Sequence, residues 1–338
     1  MALPEAELVA VCTAHEETAK RAQERTGAAL AFWNYEEMMR APEIDLVTVA
    51  VRISLHHPIV MAALQAGKHV FCEWPLALTA RQAADMYDLA RRQGVAHAVG
   101  TQARFSPGIM YGKELMERAY VGRPLLFQMT HFLSSAIAPR PSHRWWSMRA
   151  AEGGGAILIA LGHALDVVRW YLGEVEQVCG AVQTLVPETR FADTGEVVRV
   201  DAIDTVAAMV RLSGGLTGTV HVSNACRDGS GFRLEVYGTE GRLVVRSSQM
   251  VQYSPARVYG ARGGDPFQEL PIPRRFYEVD GLPADSQAFQ VAQLLRRFIQ
   301  AISVGESFHP DFGTAVGLHQ AIEAVVRSAE SGTWVAVG

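Results

Sequence analysis

Cysteine is scarce in this chain. Cys12, Cys72, Cys179 and Cys226 are the four in 338 residues, scattered and without a CxxC pair. That argues against a disulfide framework and a cysteine zinc centre. No charge of one sign dominates: 31 Lys+Arg stand against 35 Asp+Glu, a formal net charge of −4. A sequence-independent grip on nucleic acid needs clustered Lys/Arg, so no nucleic-acid partner is expected. No apolar run approaches the roughly 20 residues that span a bilayer, so no membrane partner is expected either. The N-terminal MALPEAELVAV has no basic n-region, so no signal peptide is expected and the cytoplasm is the default location. The eleven histidines show neither an HExxH spacing nor a carboxylate cluster, and no metal is expected. Repeats and low-complexity segments are also absent. What remains is a composition 49% apolar and 20% charged, too apolar and too neutral for a disordered chain. At this length two domains lead.

The first third alternates strand and helix signals. Leu8–Cys12, Leu46–Val51, His69–Cys72 and Ala96–Val99 are apolar runs suited to strands covered on both faces. Between them, Glu16–Arg25, Tyr35–Arg40, Pro58–Gln65 and a segment from Thr79 to Gln93 favour helix, with Gly27, Gly67 and Gly94 as stops. Such alternation implies a parallel sheet with right-handed crossovers. After about residue 120 the pattern changes. Gly155–Leu172 has apolar residues at three-to-four spacing and predicts a long helix. Thr205–Leu212, Leu216–Val222, Arg233–Tyr237 and Arg242–Val245, joined by glycine turns, predict an antiparallel sheet. Phe289–Val304 and Gly313–Ser331 read as helices. The expected fold class is α/β: a Rossmann-like parallel domain over residues 1–105, then an α+β domain with a large open sheet over 106–304. Residues 305–338 are expected to form a C-terminal helix and tail that pack back on the domain junction.

In a doubly wound sheet, ligands sit outside the carboxyl ends of the strands. Here those ends are Thr13-Ala14-His15, Arg52 to His57 with Ser54, Glu73-Trp74-Pro75 and Gly100-Thr101-Gln102. Glu73 places a carboxylate at the sheet edge, either for a ligand or merely as a solvated strand end.

The segment Ala63 to Ala77, ALQAGKHVFCEWPLA, resembles the AL-x-AGKHV-x-x-EKPLA motif of the Gfo/Idh/MocA oxidoreductase family. Val99-Gly100 through Arg104-Phe105-Ser106-Pro107 is similar to that family's VG-x-x-x-RF-x-P turn. Gly153–Gly155 with His163 and Asp166 resembles its GGG…H-x-x-D helix, and Tyr237–Gly241 its YGT-x-G hairpin. The resemblance implies a nicotinamide-binding Rossmann domain and a substrate domain. It also implies oxidation or reduction of a sugar, cyclitol or similar small alcohol or carbonyl. Its cofactor would be NAD or NADP, held around Thr13, Ser54, His56, Glu73, Trp74 and Gln102. Thr13 stands where NAD enzymes usually carry an acid, which leans toward NADP, with Lys20 or Arg21 in reach of a 2′-phosphate. Substrate would meet Trp74, Arg104, Trp145, Trp146, His163 and Asp166. His163 is the one catalytic candidate, as general base; otherwise it is a hydrogen-bonded helix histidine. Asp166 either orients His163 or pairs with Arg169. The two tryptophans either line a substrate pocket or fill the domain junction. The resemblance also implies a homo-dimer or homo-tetramer built through the second domain's sheet.

Three departures stand beside these matches. Trp74 occupies the motif's lysine position, and an indole carries no cation and exchanges no proton at neutral pH. It suits instead an aromatic plate for a sugar face or planar ring. Ile159 occupies the position of an aspartate. The G-x-G-x-x-G phosphate turn is not in the sequence, which starts near the family's second strand, so a first βα unit of roughly 20–30 residues is expected to be missing. The E-W-x-L-A run and G-H-x-x-D helix also resemble the galactose-pathway repressor of yeasts. That leaves a second expectation, a non-enzymatic protein that binds dinucleotide or sugar and regulates.

Overall fold

The computed structural model describes residues 3–338. The chain forms two compact units: residues up to Gly100 together with Leu295–Val316, and Thr101–Leu294 together with Gly317–Gly338.

The first unit is parallel α/β. Its strands are β1 (Ala10–Cys12), β2 (Leu30–Phe32), β3 (Leu46–Val49), β4 (His69–Glu73) and β5 (His97–Gly100). Helices α1 (Glu16–Thr26), α2 (Tyr35–Met39), α3 (His56–Gln65) and α4 (Ala80–Gln93) alternate with them. The caps are those the sequence suggests. Gly27 and Gly94 close α1 and α4 at φ 75° and 65°, the left-handed region that glycine enters without strain, and Thr79 accepts from the Gln82 amide at 3.2 Å. Strand β2 was not expected; three residues are too few to show a period. β1 is shorter than the Leu8–Cys12 run, and β3 stops at Val49 rather than Val51.

These strands form two sheets, β1–β2 and β3–β4–β5, every pairing parallel. In the doubly wound order 3-2-1-4-5-6, β2–β1 take places 3-2 and β3–β4–β5 take 4-5-6. Place 1 has no strand among the described residues. Both β1 and β3 therefore end the ladder on one side. Leu8 before β1, and Val51 and Leu55 after β3, keep 41–47% of their surface exposed.

The second unit holds a nine-stranded sheet. Its members are β6 (Pro124–Phe132), β7 (Val175–Gln183), β10 (Thr205–Leu212), β11 (Thr217–Ser223), β12 (Gly231–Gly238), β13 (Gly241–Ser247), β14 (Ala256–Arg262), β15 (Gln268–Glu269) and β16 (Val335–Ala336). A small hairpin, β8 (Glu188–Arg190) and β9 (Val197–Arg199), stands apart from it. The order is β15-β14-β13-β12-β6-β11-β10-β7-β16, antiparallel except for β6 against β11. Helix α5 (Pro107–Glu117) packs on β13 and β14, and α6 (Ile159–Leu172) on β6, β10 and β11. The covered face carries Phe127, Met129, Val206, Val222, Phe232 and Leu234, all buried. Each strand alternates, so Gln128, Thr130, Met209, Thr219 and His221 point to the opposite, open face. Helices α7 (Phe289–Val304) and α8 (Phe312–Ser331) complete the chain.

Helix α6 starts at Ile159, four residues later than the periodicity suggests. The reason is local. Gly153 and Gly155 stand at φ 77° and 93°, and Gly154 presses on the Ser147 carbonyl, leaving 2.5 Å to a Cβ. A Cβ on Gly155 would also lie 2.4 Å from the Ile203 carbonyl oxygen. Gly155→Ala should therefore cost at least about 1–3 kcal/mol from backbone strain, with the clash added. A urea midpoint unchanged in that variant would contradict the conformation.

Candidate functional site

The first unit gathers its candidates at the carboxyl ends of its strands. His56 starts α3 and is buried. Its Nδ1 lies 2.8 Å from the Pro75 carbonyl oxygen and its Nε2 3.1 Å from that of Val51. The neutral ring has one N–H to donate to one of these carbonyls, and it sits between the turn after β4 and the turn after β3. Burial lowers its pKa, which backbone groups of Val51, Pro75 and Leu76 only partly oppose. His56 is a strut rather than a free ligand contact. His56→Ala removes the one N–H···O bond that a neutral ring makes to these carbonyls and should cost about 1–3 kcal/mol, read as a lowered urea midpoint.

Trp74 corrects an expectation. It is only 6% exposed, so the indole is core rather than an open plate. Glu73 beside it keeps an exposed face. At Gly100, the end of β5, a Cβ would lie 2.9 Å from the Glu73 Cα, so the two strand ends run unusually close. Thr13 closes β1 and turns its hydroxyl to the His15 carbonyl at 3.0 Å and to Thr18 at 2.5 Å. Lys20 and Arg21 are paired with Glu16 and Glu17 at 2.7 and 2.9 Å. Ser54 lies in the single 3₁₀ turn Ile53–Leu55.

The second unit holds the other group. Arg104 grips Asp166 with both arms of its guanidinium: Nε to Oδ2 at 2.7 Å and Nη2 to Oδ1 at 2.5 Å. The side chains are 11% and 0% exposed. The partner of Asp166 is therefore Arg104, not Arg169, which instead pairs with Glu174 at 2.7 Å. Trp170 adds its ring face to Arg104, 5.6 Å from centroid to guanidinium. Breaking a buried bidentate pair strands one charge. Asp166→Ala should destabilise this unit by about 3–5 kcal/mol, checked by chemical denaturation. The nearby Gln102 is buried too, in the 3₁₀ turn Gln102–Phe105.

His163 lies one helical turn before Asp166 and is 2% exposed. Its Nδ1 is buried without a hydrogen-bond partner. Burial pushes its pKa down to about 3, with Asp166 opposing and His131 adding to the fall. His131, on the covered face of β6, is held at about 4 by burial, and its Nδ1 lies 3.3 Å from the Ala160 carbonyl oxygen on α6. Both imidazoles are therefore neutral at neutral pH. Sequence reading missed His131; its position in register with Phe127 and Met129 already marked it as inward-facing. Trp145 is half-buried, edge-on to Phe191 at 5.7 Å, and Arg149 covers its face. Trp146 is half-buried beside it. Ile159 opens α6 as an apolar residue where an acid was the motif. Among the described residues no group of three metal-ligating side chains occurs, and no helix is long and apolar enough to cross a membrane.

Two family models cover most of the chain. Residues 1–101 match the oxidoreductase family with an NAD-binding Rossmann fold, and residues 109–244 match the GFO/IDH/MocA C-terminal domain. The chain is a GFO/IDH/MocA oxidoreductase family member. Levoglucosan dehydrogenase of Pseudarthrobacter phenanthrenivorans is 28% identical over 354 residues, covering 99% of this chain and 90% of the relative. A solved levoglucosan dehydrogenase in complex with NADH and levoglucosan superposes with a TM-score of 0.85 at 26% identity, over 98% of this chain and 90% of the other. The super-repressor mutant of Gal80p from Saccharomyces cerevisiae superposes with a TM-score of 0.85 over 98% and 90%, but at 19% identity that likeness is one of fold.

Thr13 follows β1, Ser54 follows β3 and Glu73 ends β4, all on the carboxyl side of their strands, where ligands of doubly wound sheets sit. A glycine-rich turn onto a helix N-terminus, which holds a pyrophosphate, is not present among the described residues.

Proposed function

We propose that this chain is an NAD(P)-dependent oxidoreductase of a sugar, cyclitol or similar polyol. What carries the reading is the family match and its sugar-dehydrogenase relatives, with His163 placed one helical turn before the Arg104–Asp166 pair. When bound, the nicotinamide takes or gives a hydride. His163 accepts the substrate hydroxyl proton at Nε2, because a neutral ring offers a lone pair. Asp166 and Arg104 hold that turn of α6 in place, and Asp166 favours the imidazolium as it forms. Trp145 and Trp146 supply aromatic surface of the kind that packs on a sugar face. Trp74 and Ile159 contribute no proton chemistry, so the site works with fewer polar groups than the family motif. Levoglucosan, the ligand of the relative's complex, is the first substrate to try.

A preference for NADP rests on Thr13, which leaves room for a 2′-phosphate; Lys20 and Arg21 are already salt-bridged. The cytoplasm suits both cofactors. The open face of the nine-stranded sheet, with Leu126 and Met209 each 47% exposed, suits a homo-dimer or homo-tetramer. The second reading is a regulator that binds dinucleotide or sugar without turnover. The apolar Ile159 and the buried Trp74 favour it. Titration with NAD(H) and NADP(H), followed by absorbance at the nicotinamide band with a polyol panel, separates the two. Nucleotide binding with no substrate turned over would leave the regulator.

A further inference from the structure

Three arginines lie side by side across the open face of the second unit's sheet. Arg233 on β12 is directly opposite Arg246 on β13, and Arg246 is directly opposite Arg257 on β14. Directly opposed like charges destabilise an antiparallel pair. Two carboxylates offset part of this row. Glu235 is buried and binds Arg233 at 2.8 Å, Tyr237 at 2.6 Å and also Arg242. Glu269 reaches Arg257 at 3.7 Å. The central Arg246 has no carboxylate within ion-pair distance among the described residues. Its guanidinium lies 4.3 Å from the Tyr259 ring centroid and donates to the Tyr259 hydroxyl at 2.8 Å. Tyr259 and Phe267 stack beside it, their centroids 6.1 Å apart. Arg233, Arg246, Tyr259 and Phe267 line a hollow of about 300 Å³ with Gln268 and Glu269 at its rim.

We propose that this hollow is an oxyanion site, taking a phosphate or carboxylate group between Arg233 and Arg246. The chemistry follows from the row. An oxyanion between the two guanidiniums accepts charge-assisted hydrogen bonds from both and removes the repulsion between them. The aromatic floor holds the Arg246 plane in position, so little freedom is lost on binding. The group can come from a free small anion or from a carboxylate of a second copy seated on the open face. This proposal does not depend on the oxidoreductase reading.

The test uses inorganic phosphate as the probe, with chloride at matched ionic strength as the control, and the full chain as wild type and as Arg246→Gln. The thermal midpoint of wild type should rise with phosphate beyond the chloride control. Arg246→Gln should bind phosphate at least about ten-fold more weakly, while its midpoint in chloride stays level or rises as the repulsion disappears. Light scattering run alongside identifies the source. Phosphate binding at unchanged mass marks a free anion; phosphate that dissociates a dimer, mimicked by Arg246→Gln, marks a carboxylate of the second copy. A phosphate response no larger than chloride's, with a mass that neither phosphate nor Arg246→Gln alters, overturns the proposal. So does a response of equal size in Arg246→Gln.

Discussion

Acidification from about pH 6.5 to about pH 4 should strip stability steeply from the second unit. Three imidazoles inside it resist charging: burial pushes His131 down to about 4 and both His163 and His319 to about 3, from the ordinary 6.5. In the unfolded chain the same side chains take protons near 6.5. Over this window the unfolded state therefore binds more protons than the folded one. Each histidine withdraws up to about 1.4 kcal/mol of stability per pH unit, until the folded value is reached. The contribution is complete above 6.5 and lost as the pH falls. The three losses have the same sign and add to one another in direction. Urea midpoints across this range, read by near-ultraviolet circular dichroism, check it. A midpoint flat down to about pH 4.5 would show that the three rings are hydrated in solution.

The second large effect concerns turnover. His163→Ala should lower kcat by about 10²- to 10⁴-fold, the ordinary contribution of a positioned acid–base group. Nucleotide affinity should be unaffected, because the candidates for cofactor contact in the first unit are separate residues. Stability should fall modestly, since Nδ1 has no hydrogen bond to lose. That split distinguishes His163 from Asp166. The aspartate's removal breaks two hydrogen bonds of a buried ion pair and lowers stability and rate together. His131→Phe probes the neighbour: without the His131 charge beside it, His163 should titrate higher, which a histidine NMR titration reads.

Much of the fold is legible in the sequence where burial leaves a period. Thr205–Leu212 alternates inward and outward residues and is strand β10 with those bounds. Phe289–Val304 repeats at helical spacing and is α7 with those bounds. β2 is not legible because three residues carry no period, and the start of α6 is hidden by a glycine turn shaped by contacts with Ser147 and Ile203. The candidate site divides in the same way. His163 and Asp166 share one helix, so their spacing of three already places them together. Arg104 lies 62 residues away, and no local pattern identifies it as the aspartate's partner. Arg169 competes for that role on spacing alone; the aspartate pairs with Arg104, and Arg169 pairs with Glu174. His56 and Trp74 look like ligand contacts because they sit at strand ends. Their burial follows from tertiary packing, which strand-end position does not reveal.

The central claim is that this chain moves a hydride with His163 holding the proton. The most direct measurement is absorbance at the nicotinamide band after mixing protein, NAD⁺ or NADP⁺, and levoglucosan or another polyol, for wild type beside His163→Ala. Reduction of the cofactor by wild type, lowered at least about 10²-fold in the variant with nucleotide binding intact, is the expected result. Equal rates in the two proteins, or tight nucleotide binding by wild type with no reduction on any polyol, would contradict it.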